Sequence, residues 1–316
     1  MNVKGEREQS SVIGTAAMGE RSIFVKTYVP DGWDQSHETV PLRVAREATV
    51  IARLGGVGGL RGRLGVPRLV DHVPALGTVA TEAVSGTTLD KVLARNGEDC
   101  RRAVFLAGKW IQRLQSLRIE LADYASYTEI DPDDLIMYCD IRLRALSERG
   151  LRWVTRRRTA AILNTVDSLL RASSATSRSR SWCHCDYSPG NIIWDGFKLT
   201  PIDFGNARID LELLDVATFV HRLEMIALVR PWRFWPVRKW ADAFVRGYGR
   251  PNVSSDPVFQ AIAIRLLLCR LLTNVRRVAQ NRRQAGHDFW MRACLKRRLI
   301  KAVRSVYGVS RQELPS

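Results

Sequence analysis

Residues 184–191 read HCDYSPGN, and the apolar run IIW follows at 192–194. The stretch places a histidine, an aspartate and an asparagine close together, with a proline–glycine pair directly before the asparagine. Proline and glycine side by side favour a tight turn, so the stretch predicts a polar loop that leads into a strand. Within that loop we expect Asp186 and Asn191 to face one point.

A predicted β-hairpin follows this loop. Its two apolar runs, 191–194 and 199–202, flank a turn at Asp195-Gly196. The triplet DFG at 203–205 comes directly after the second run. Folding of the hairpin would therefore return the start of this triplet to the end of the polar loop.

The residue types at the two ends of the hairpin suit phosphoryl transfer. The amide oxygen of Asn191 and the carboxylate of Asp203 are hard ligands of the kind that Mg²⁺ prefers. Asp186 lies on a loop, where it can orient or deprotonate an attacking hydroxyl. Catalysis of phosphoryl transfer consists mostly of positioning and charge neutralisation, which these three side chains can supply.

The two motifs, H-x-D-x-x-x-x-N and D-F-G, together with LLDVAT at 213–218, resemble the aminoglycoside phosphotransferase and choline kinase family. The resemblance implies an α+β, two-lobed, protein-kinase-like fold with ATP and Mg²⁺ as cofactors. A small β-rich N-terminal lobe would span 1–84 and bind the nucleotide. A larger helical C-terminal lobe would span 85–316 and carry the catalytic loop and the acceptor site.

The same resemblance extends to the first lobe. Lys26, in the strand-like FVKTY, fits the lysine that contacts the ATP phosphates, and Glu47, in an amphipathic helical pattern, fits the glutamate that pairs with it. The segment TEAVSG fits the hinge, where backbone groups at Glu82, Ala83 and Val84 would meet adenine. A solvated strand lysine and a surface helix charge remain the alternatives for Lys26 and Glu47.

Two departures from the family pattern refine these expectations. The glycine-rich phosphate loop would precede Ser11, where only Gly5 stands, which leaves two alternatives: an N-terminal lobe that is abbreviated at its start, or a true start that lies upstream. This leaves a catalytically weak pseudokinase, acting as a basic binding scaffold, as an alternative. Few residues separate Gly205 from Leu213, and no A-P-E follows, which favours a small-molecule kinase over a protein kinase.

The distribution of charge bears on the acceptor. The formal net charge is +17, and residues 222–316 hold 20 Lys or Arg against 5 Asp or Glu. Such a region repels a polycation and attracts an anion, so we expect a sugar phosphate, an anionic glycolipid or a lipid-linked saccharide. An aminoglycoside-type antibiotic kinase stays open as an alternative if a local acidic pocket exists, for which the candidates are Glu129, Asp131, Asp133 and Asp134.

The segment RPWRFWPVRKW at 230–240 interleaves basic and aromatic residues. This pattern suits the anionic face of a membrane, whereas a helix-to-helix corner with its tryptophans in the core is the alternative. A nucleic-acid partner is disfavoured because no nucleic-acid motif accompanies the segment. No pattern indicates an oligomeric state.

Three further features favour a cytoplasmic protein, with peripheral membrane contact as an added expectation. No secretory signal pattern stands at the start. The apolar window 261–275 holds Arg265 and Arg270, so it is predicted to be too short and too charged to span a bilayer and to be a buried helix. The six cysteines are expected to be free thiols.

Overall fold

The computed structural model describes residues 6–8, 11–18, 21–28, 39–56, 62–116, 132–233, 235–277 and 281–307. The chain divides into two compact units. The first comprises 1–127, 182–209 and 239–249, and the second comprises 128–181, 210–238 and 250–316. The first unit includes the loop that carries Asp186, and the lobe boundary at residue 84 stays a prediction.

A five-stranded antiparallel sheet dominates the start of the first unit, in the order β1-β2-β3-β5-β4. Its strands are β1 (Glu6–Glu8), β2 (Ser11–Met18), β3 (Arg21–Tyr28), β4 (Leu69–Val73) and β5 (Thr78–Glu82). Lys26 pairs with Ile13 on one side and with Val79 on the other, so it lies in the central strand. Successive side chains of a strand alternate between faces, which puts Lys26 and Tyr28 on the same face.

One helix of the first unit, α1 (Val40–Gly56), packs against this sheet. Its buried face includes Val44, Ala48 and Ile51, the helical spacing expected from the sequence. Glu47 lies on that face and is 3% exposed. The predicted alternative of a surface charge therefore does not hold for Glu47.

The rest of the first unit consists of helices and a small sheet. The helices are α2 (Leu89–Arg95), α3 (Asp99–Ser116) and α7 (Val237–Tyr248). The sheet has the order β6-β8-β9, with β6 (Thr87–Thr88), β8 (Ile192–Trp194) and β9 (Leu199–Pro201). Strands β8 and β9 are the predicted hairpin, and Asp195 closes its turn by accepting from the backbone N–H groups of Phe197 and Lys198.

The described part of the second unit contains five α-helices: α4 (Pro132–Glu148), α5 (Arg156–Ala172), α6 (Leu213–Val229), α8 (Pro257–Arg276) and α9 (Arg282–Tyr307). Helix α8 packs against the other four. Two short strands, β7 (Arg180–Cys183) and β10 (Arg208–Leu211), pair with each other.

Helix α8 corrects one expectation and confirms another. It has 20 residues, so the segment is long and apolar enough to cross a membrane by length and composition alone, and the prediction that it is too short is wrong. Over half of its most apolar window is nevertheless buried inside the protein, as predicted for a core helix. The six cysteines are free thiols, as expected.

Candidate active site

The polar loop places Asn191 directly on Asp186. A short 3-10 helix at Pro189–Asn191 turns the chain, as the proline–glycine pair predicted. The side-chain Nδ2 of Asn191 then donates to the backbone oxygen of Asp186 at 3.0 Å and to its Oδ2 at 2.9 Å. These bonds fix the orientation of the amide, so that its Nδ2 faces Asp186 and its Oδ1 points elsewhere.

Two residues of this region hold left-handed backbone. Cys185 has φ 63° and Asp203 has φ 66°, a conformation that costs a non-glycine residue roughly 1–3 kcal/mol. Contacts of nearby residues help to offset this cost. Tyr187 is fully buried and its hydroxyl donates to the backbone oxygen of Ala107 at 2.9 Å.

His184 ties the loop to the DFG segment. It is fully buried, and its Nε2 lies 2.9 Å from the backbone oxygen of Ile202. A carbonyl oxygen can only accept, so Nε2 carries the proton. Burial lowers the pKa of His184, although Asp186 and Asp203 oppose this effect. A neutral, hydrogen-bonded histidine of this kind has a structural role.

Lys26 lies between two carboxylates. Its Nζ is 2.5 Å from Oδ1 of Asp203 and 3.5 Å from Oε2 of Glu47. Burial disfavours the charged amine, but the carboxylates of Glu47 and Asp203 outweigh it, so the pKa of Lys26 is raised. The same ion pair holds the pKa of Asp203 below its usual range despite burial. A charged lysine beside a carboxylate can hold an anionic phosphate chain next to a metal ion.

Tyr28 belongs to the same hydrogen-bonded group as Lys26 and Glu47, and the sequence did not predict its role. Its hydroxyl accepts from Lys26 Nζ at 2.8 Å and donates to Glu47 Oε2 at 2.6 Å. Burial and the Glu47 carboxylate raise the pKa of Tyr28, so the phenol keeps its proton. Its position two residues after Lys26, on the same face of the strand, was the available signal.

The residues predicted to hold Mg²⁺ fit that ion. Asn191 and Asp203 are linked through the backbone, since the N–H of Ile202, the residue before Asp203, donates to the backbone oxygen of Asn191 at 2.9 Å. Among the residues that the structure describes, Asn191 Oδ1 and Asp203 Oδ2 accept no hydrogen bond, which leaves one amide and one carboxylate oxygen for a hard cation. That part of the chain holds no group of three His, Cys, Asp or Glu able to bind a metal.

In the predicted hinge, two of the three backbone N–H groups already donate hydrogen bonds within the protein. The N–H of Glu82 donates to Arg68 at 2.8 Å and the N–H of Ala83 donates to Ser22 at 2.9 Å. Within the described residues, the N–H of Val84 makes no such bond. A hinge contact with adenine at this point would therefore use the N–H of Val84.

Some predicted residues cannot be placed. Gly5, Glu129 and Asp131 lie outside the described residues, and the side chain of Asp133 is not described. Asp134 lies on α4 and is partly exposed. The acidic pocket predicted around these residues stays a prediction.

Three solved structures illustrate the similarity in fold. The streptomycin-ATP-APH(2")-IIa ternary complex matches with a TM-score of 0.58 at 12% identity, over 98% of this chain and 92% of the other. A choline kinase from Cryptosporidium parvum Iowa II matches with a TM-score of 0.62 at 11% identity, over 97% and 90%. A choline/ethanolamine kinase family protein from Mesorhizobium loti matches with a TM-score of 0.59 at 15% identity, over 96% and 93%.

These structures share the protein-kinase-like fold predicted from the motifs. No curated protein matched the chain in sequence. The family model of the phosphotransferase enzyme family matches residues 17–259. That range covers most of the chain and includes Lys26, Asp186 and Asp203. The chain therefore belongs to the phosphotransferase enzyme family and is a small-molecule phosphotransferase that acts on a hydroxyl group.

Proposed function

We propose that the protein transfers the γ-phosphoryl group of ATP, with Mg²⁺, to a hydroxyl of an anionic small molecule or glycoconjugate. The observation that carries the proposal is a pair of aspartates, each hydrogen-bonded to one polar side chain and linked to each other through the backbone. Asp186 accepts a hydrogen bond from Asn191, and Asp203 accepts one from Lys26. The backbone hydrogen bond from Ile202 N–H to the Asn191 carbonyl links the two pairs. ATP is present in one structure of similar fold, the streptomycin-ATP-APH(2")-IIa complex.

Each side chain has one role in this reaction. Lys26 holds the phosphate chain, and Glu47 keeps Lys26 in place. Asn191 and Asp203 would hold Mg²⁺, which neutralises phosphate charge when bound. Asp186 orients the acceptor hydroxyl and accepts its proton as the oxygen–phosphorus bond forms. The bond between the γ-phosphorus and the bridging oxygen breaks, and ADP leaves with the bonding pair.

The charge of the second unit supports an anionic acceptor. Most of the surplus of lysine and arginine after residue 222 lies there, and exposed members include Arg222, Arg230, Arg233, Arg282 and Arg283. A positive surface raises the local concentration of anions and speeds their association. A sugar phosphate, an anionic glycolipid or a lipid-linked saccharide has the required charge and a free hydroxyl.

The second unit also presents an aromatic–basic surface, which we define as Trp232, Trp290 and Arg283, three residues that line one groove. Trp232 is 72% exposed and Trp290 is 44% exposed. A groove of about 560 Å³ lies between Trp232 and Trp290. Tryptophan with arginine is a pairing that suits anionic lipid headgroups, so this surface is our candidate for peripheral membrane contact.

Two tryptophans of the 230–240 segment do not belong to this surface. Trp235 is 9% exposed and donates to the backbone oxygen of Arg230 at 3.0 Å, and Trp240 is 3% exposed. For these two, the alternative of core packing is correct. Trp290 of α9 lines the groove with Trp232 instead.

Offering acceptors in separate pools tests the substrate class. The protein is incubated with γ-labelled ATP and Mg²⁺ together with aminoglycosides, neutral sugars and amino alcohols, an anionic glycolipid extract, or protein. We expect label to enter the anionic pool and to be lost with Asp186→Asn. Label in the aminoglycoside pool instead would contradict the charge argument, and label in no pool would favour the binding-scaffold alternative.

Vesicle pelleting tests the membrane contact separately. Vesicles with and without anionic lipid are compared for the wild-type protein and for Trp232→Ala. Phe197→Ala is the matched control, because Phe197 is also exposed and lies near Arg63 and Arg102, but in the first unit. We expect binding to anionic vesicles that Trp232→Ala weakens and Phe197→Ala does not. Equal pelleting with neutral vesicles would contradict the contact.

A further inference from the structure

Gly205 of the DFG segment is not required by its backbone conformation. Six glycines in the described residues have a positive φ, and Gly205 is not among them. An alanine could adopt the same backbone without strain. Some other feature of the structure must therefore exclude a side chain at this position.

That feature is the hydroxyl of Tyr28. A Cβ built on Gly205 would lie 1.8 Å from Tyr28 Oη and 2.9 Å from its Cζ, while Arg43 Nε is next at 3.5 Å. Heavy atoms that are not bonded do not approach so closely, so one of the two residues would have to move. The phenol of Tyr28 thus occupies the space that a side chain at position 205 would need.

Tyr28 cannot move away without losing its own contacts. Its ring is buried, and its hydroxyl bridges Lys26 and Glu47. The Lys26 ammonium and the Arg43 guanidinium lie 4.4 and 4.7 Å from the ring centroid. Cation–π contacts of this kind hold an aromatic ring in place.

Helix α1 forms hydrogen bonds to the DFG segment beside this contact. Arg43 Nη2 donates to Asn206 Oδ1 at 3.1 Å, and Arg46 Nη2 donates to the backbone oxygen of Gly205. The segment that follows Asp203 is therefore held by α1 and by Tyr28. Lys26 Nζ lies 3.5 Å from Glu47 Oε2, so the shorter hydrogen bonds through the Tyr28 hydroxyl provide the closer link between these two residues.

We propose that Tyr28 is a positioning residue for phosphoryl transfer, which sets Lys26 against the metal-binding Asp203. Its hydroxyl holds Lys26 and Glu47 on one side and packs against the backbone of Gly205 on the other. The inference rests on the proposed function, because the positioned groups are those that would bind Mg-ATP. The same inference explains why residue 205 is a glycine, since a side chain there would clash with this hydroxyl.

Binding of Mg-ATP tests the positioning role. Affinity is measured by calorimetry for the wild type, Tyr28→Phe, Gly205→Ala and the double variant. Tyr28→Phe removes bonds to two charged groups, so we expect affinity to fall about tenfold. Tyr248→Phe is the control, since Tyr248 is equally buried and its hydroxyl bonds Gln115 at 2.9 Å in the same unit. We expect it to lower the melting temperature but to leave the affinity for Mg-ATP unchanged.

The double variant tests the contact itself. Gly205→Ala is expected to weaken binding and to lower the melting temperature, and to do both less when Tyr28→Phe is already present, because the clashing oxygen is gone. Residues in contact show such non-additivity, whereas independent sites do not. The melting temperatures report this coupling even if no nucleotide binds.

The outcomes separate the two proposals. Wild-type protein that binds no Mg-ATP would overturn the proposed function, and the positioning role with it. Wild-type binding that Tyr28→Phe leaves intact, or weakens no more than Tyr248→Phe does, would overturn the positioning role alone. Additive effects of Tyr28→Phe and Gly205→Ala on both binding and melting would overturn the account of Gly205.

Discussion

Asn191 donates to Asp186 at two acceptors, the backbone oxygen and Oδ2. The relationship would give one side chain two tasks, because the same amide orients the carboxylate and leaves its own Oδ1 for the Mg²⁺ that we propose. The two tasks fall on different atoms of Asn191. A substitution at this position should therefore affect both metal dependence and catalysis.

We expect Asn191→Ala to raise the Mg²⁺ concentration needed for nucleotide binding by about tenfold or more, since one of two protein ligands is lost. The measurement is the shift in melting temperature with ATP as Mg²⁺ is titrated, and excess EDTA should abolish the shift. Asn164→Ala, an exposed position on α5, serves as the control. An unchanged Mg²⁺ requirement in Asn191→Ala would remove Asn191 from the metal site.

Two helix glycines, one in each unit, predict opposite effects of the same substitution. A Cβ on Gly108 of α3 would lie 2.1 Å from the backbone oxygen of Phe244 in α7. We expect Gly108→Ala to lower the free energy of unfolding by roughly 1–3 kcal/mol through overpacking. At Gly286 of α9 a Cβ meets nothing within 4 Å, so Gly286→Ala should raise it by about 0.5–1 kcal/mol. Urea unfolding of both variants checks the signs, and a stabilising Gly108→Ala would refute the close approach of α3 and α7.

The second unit contains a histidine that predicts loss of stability in mild acid. Burial, together with Arg222, Arg298 and Arg270, lowers the pKa of His221 from 6.5 to about 3. The unfolded chain therefore binds this proton first as the pH falls. The contribution of His221 to stability is complete above about pH 6.5 and is lost toward pH 3, at up to about 1.4 kcal/mol per pH unit.

Melting temperatures at pH 7 and pH 5 measure this dependence. We expect the fall in melting temperature to be smaller in His221→Gln than in the wild type. His72→Gln is the control, since His72 is exposed on β4. The same fall in His221→Gln as in the wild type would show that other groups cause the acid sensitivity.

The sequence predicted the parts of the site that depend on local patterns. The turn at Asp195-Gly196 and its flanking apolar runs are short-range signals, and the hairpin formed as expected. The resemblance to a known family supplied Lys26 and Glu47, which meet although 21 residues separate them. Spacing alone could not have paired them, because that contact depends on how α1 packs against the sheet.

The contacts that the sequence did not reveal are long-range. Tyr28 meets Gly205, and Arg43 meets Asn206, across most of the first unit's sequence. The sequence revealed only part of the aromatic–basic surface. Trp232 lies in a basic segment, whereas Trp290 joins it through the packing of the second unit.

The most direct test of the account is a single-turnover assay of phosphoryl transfer from γ-labelled ATP to the acceptor pools. Asp186→Asn keeps the shape of the side chain and removes the base. We predict that the wild type transfers label in the presence of Mg²⁺, and that Asp186→Asn is slower by about 10²–10⁴-fold while it still binds Mg-ATP. Equal transfer by the wild type and Asp186→Asn would contradict the central claim that this loop aspartate carries the chemistry.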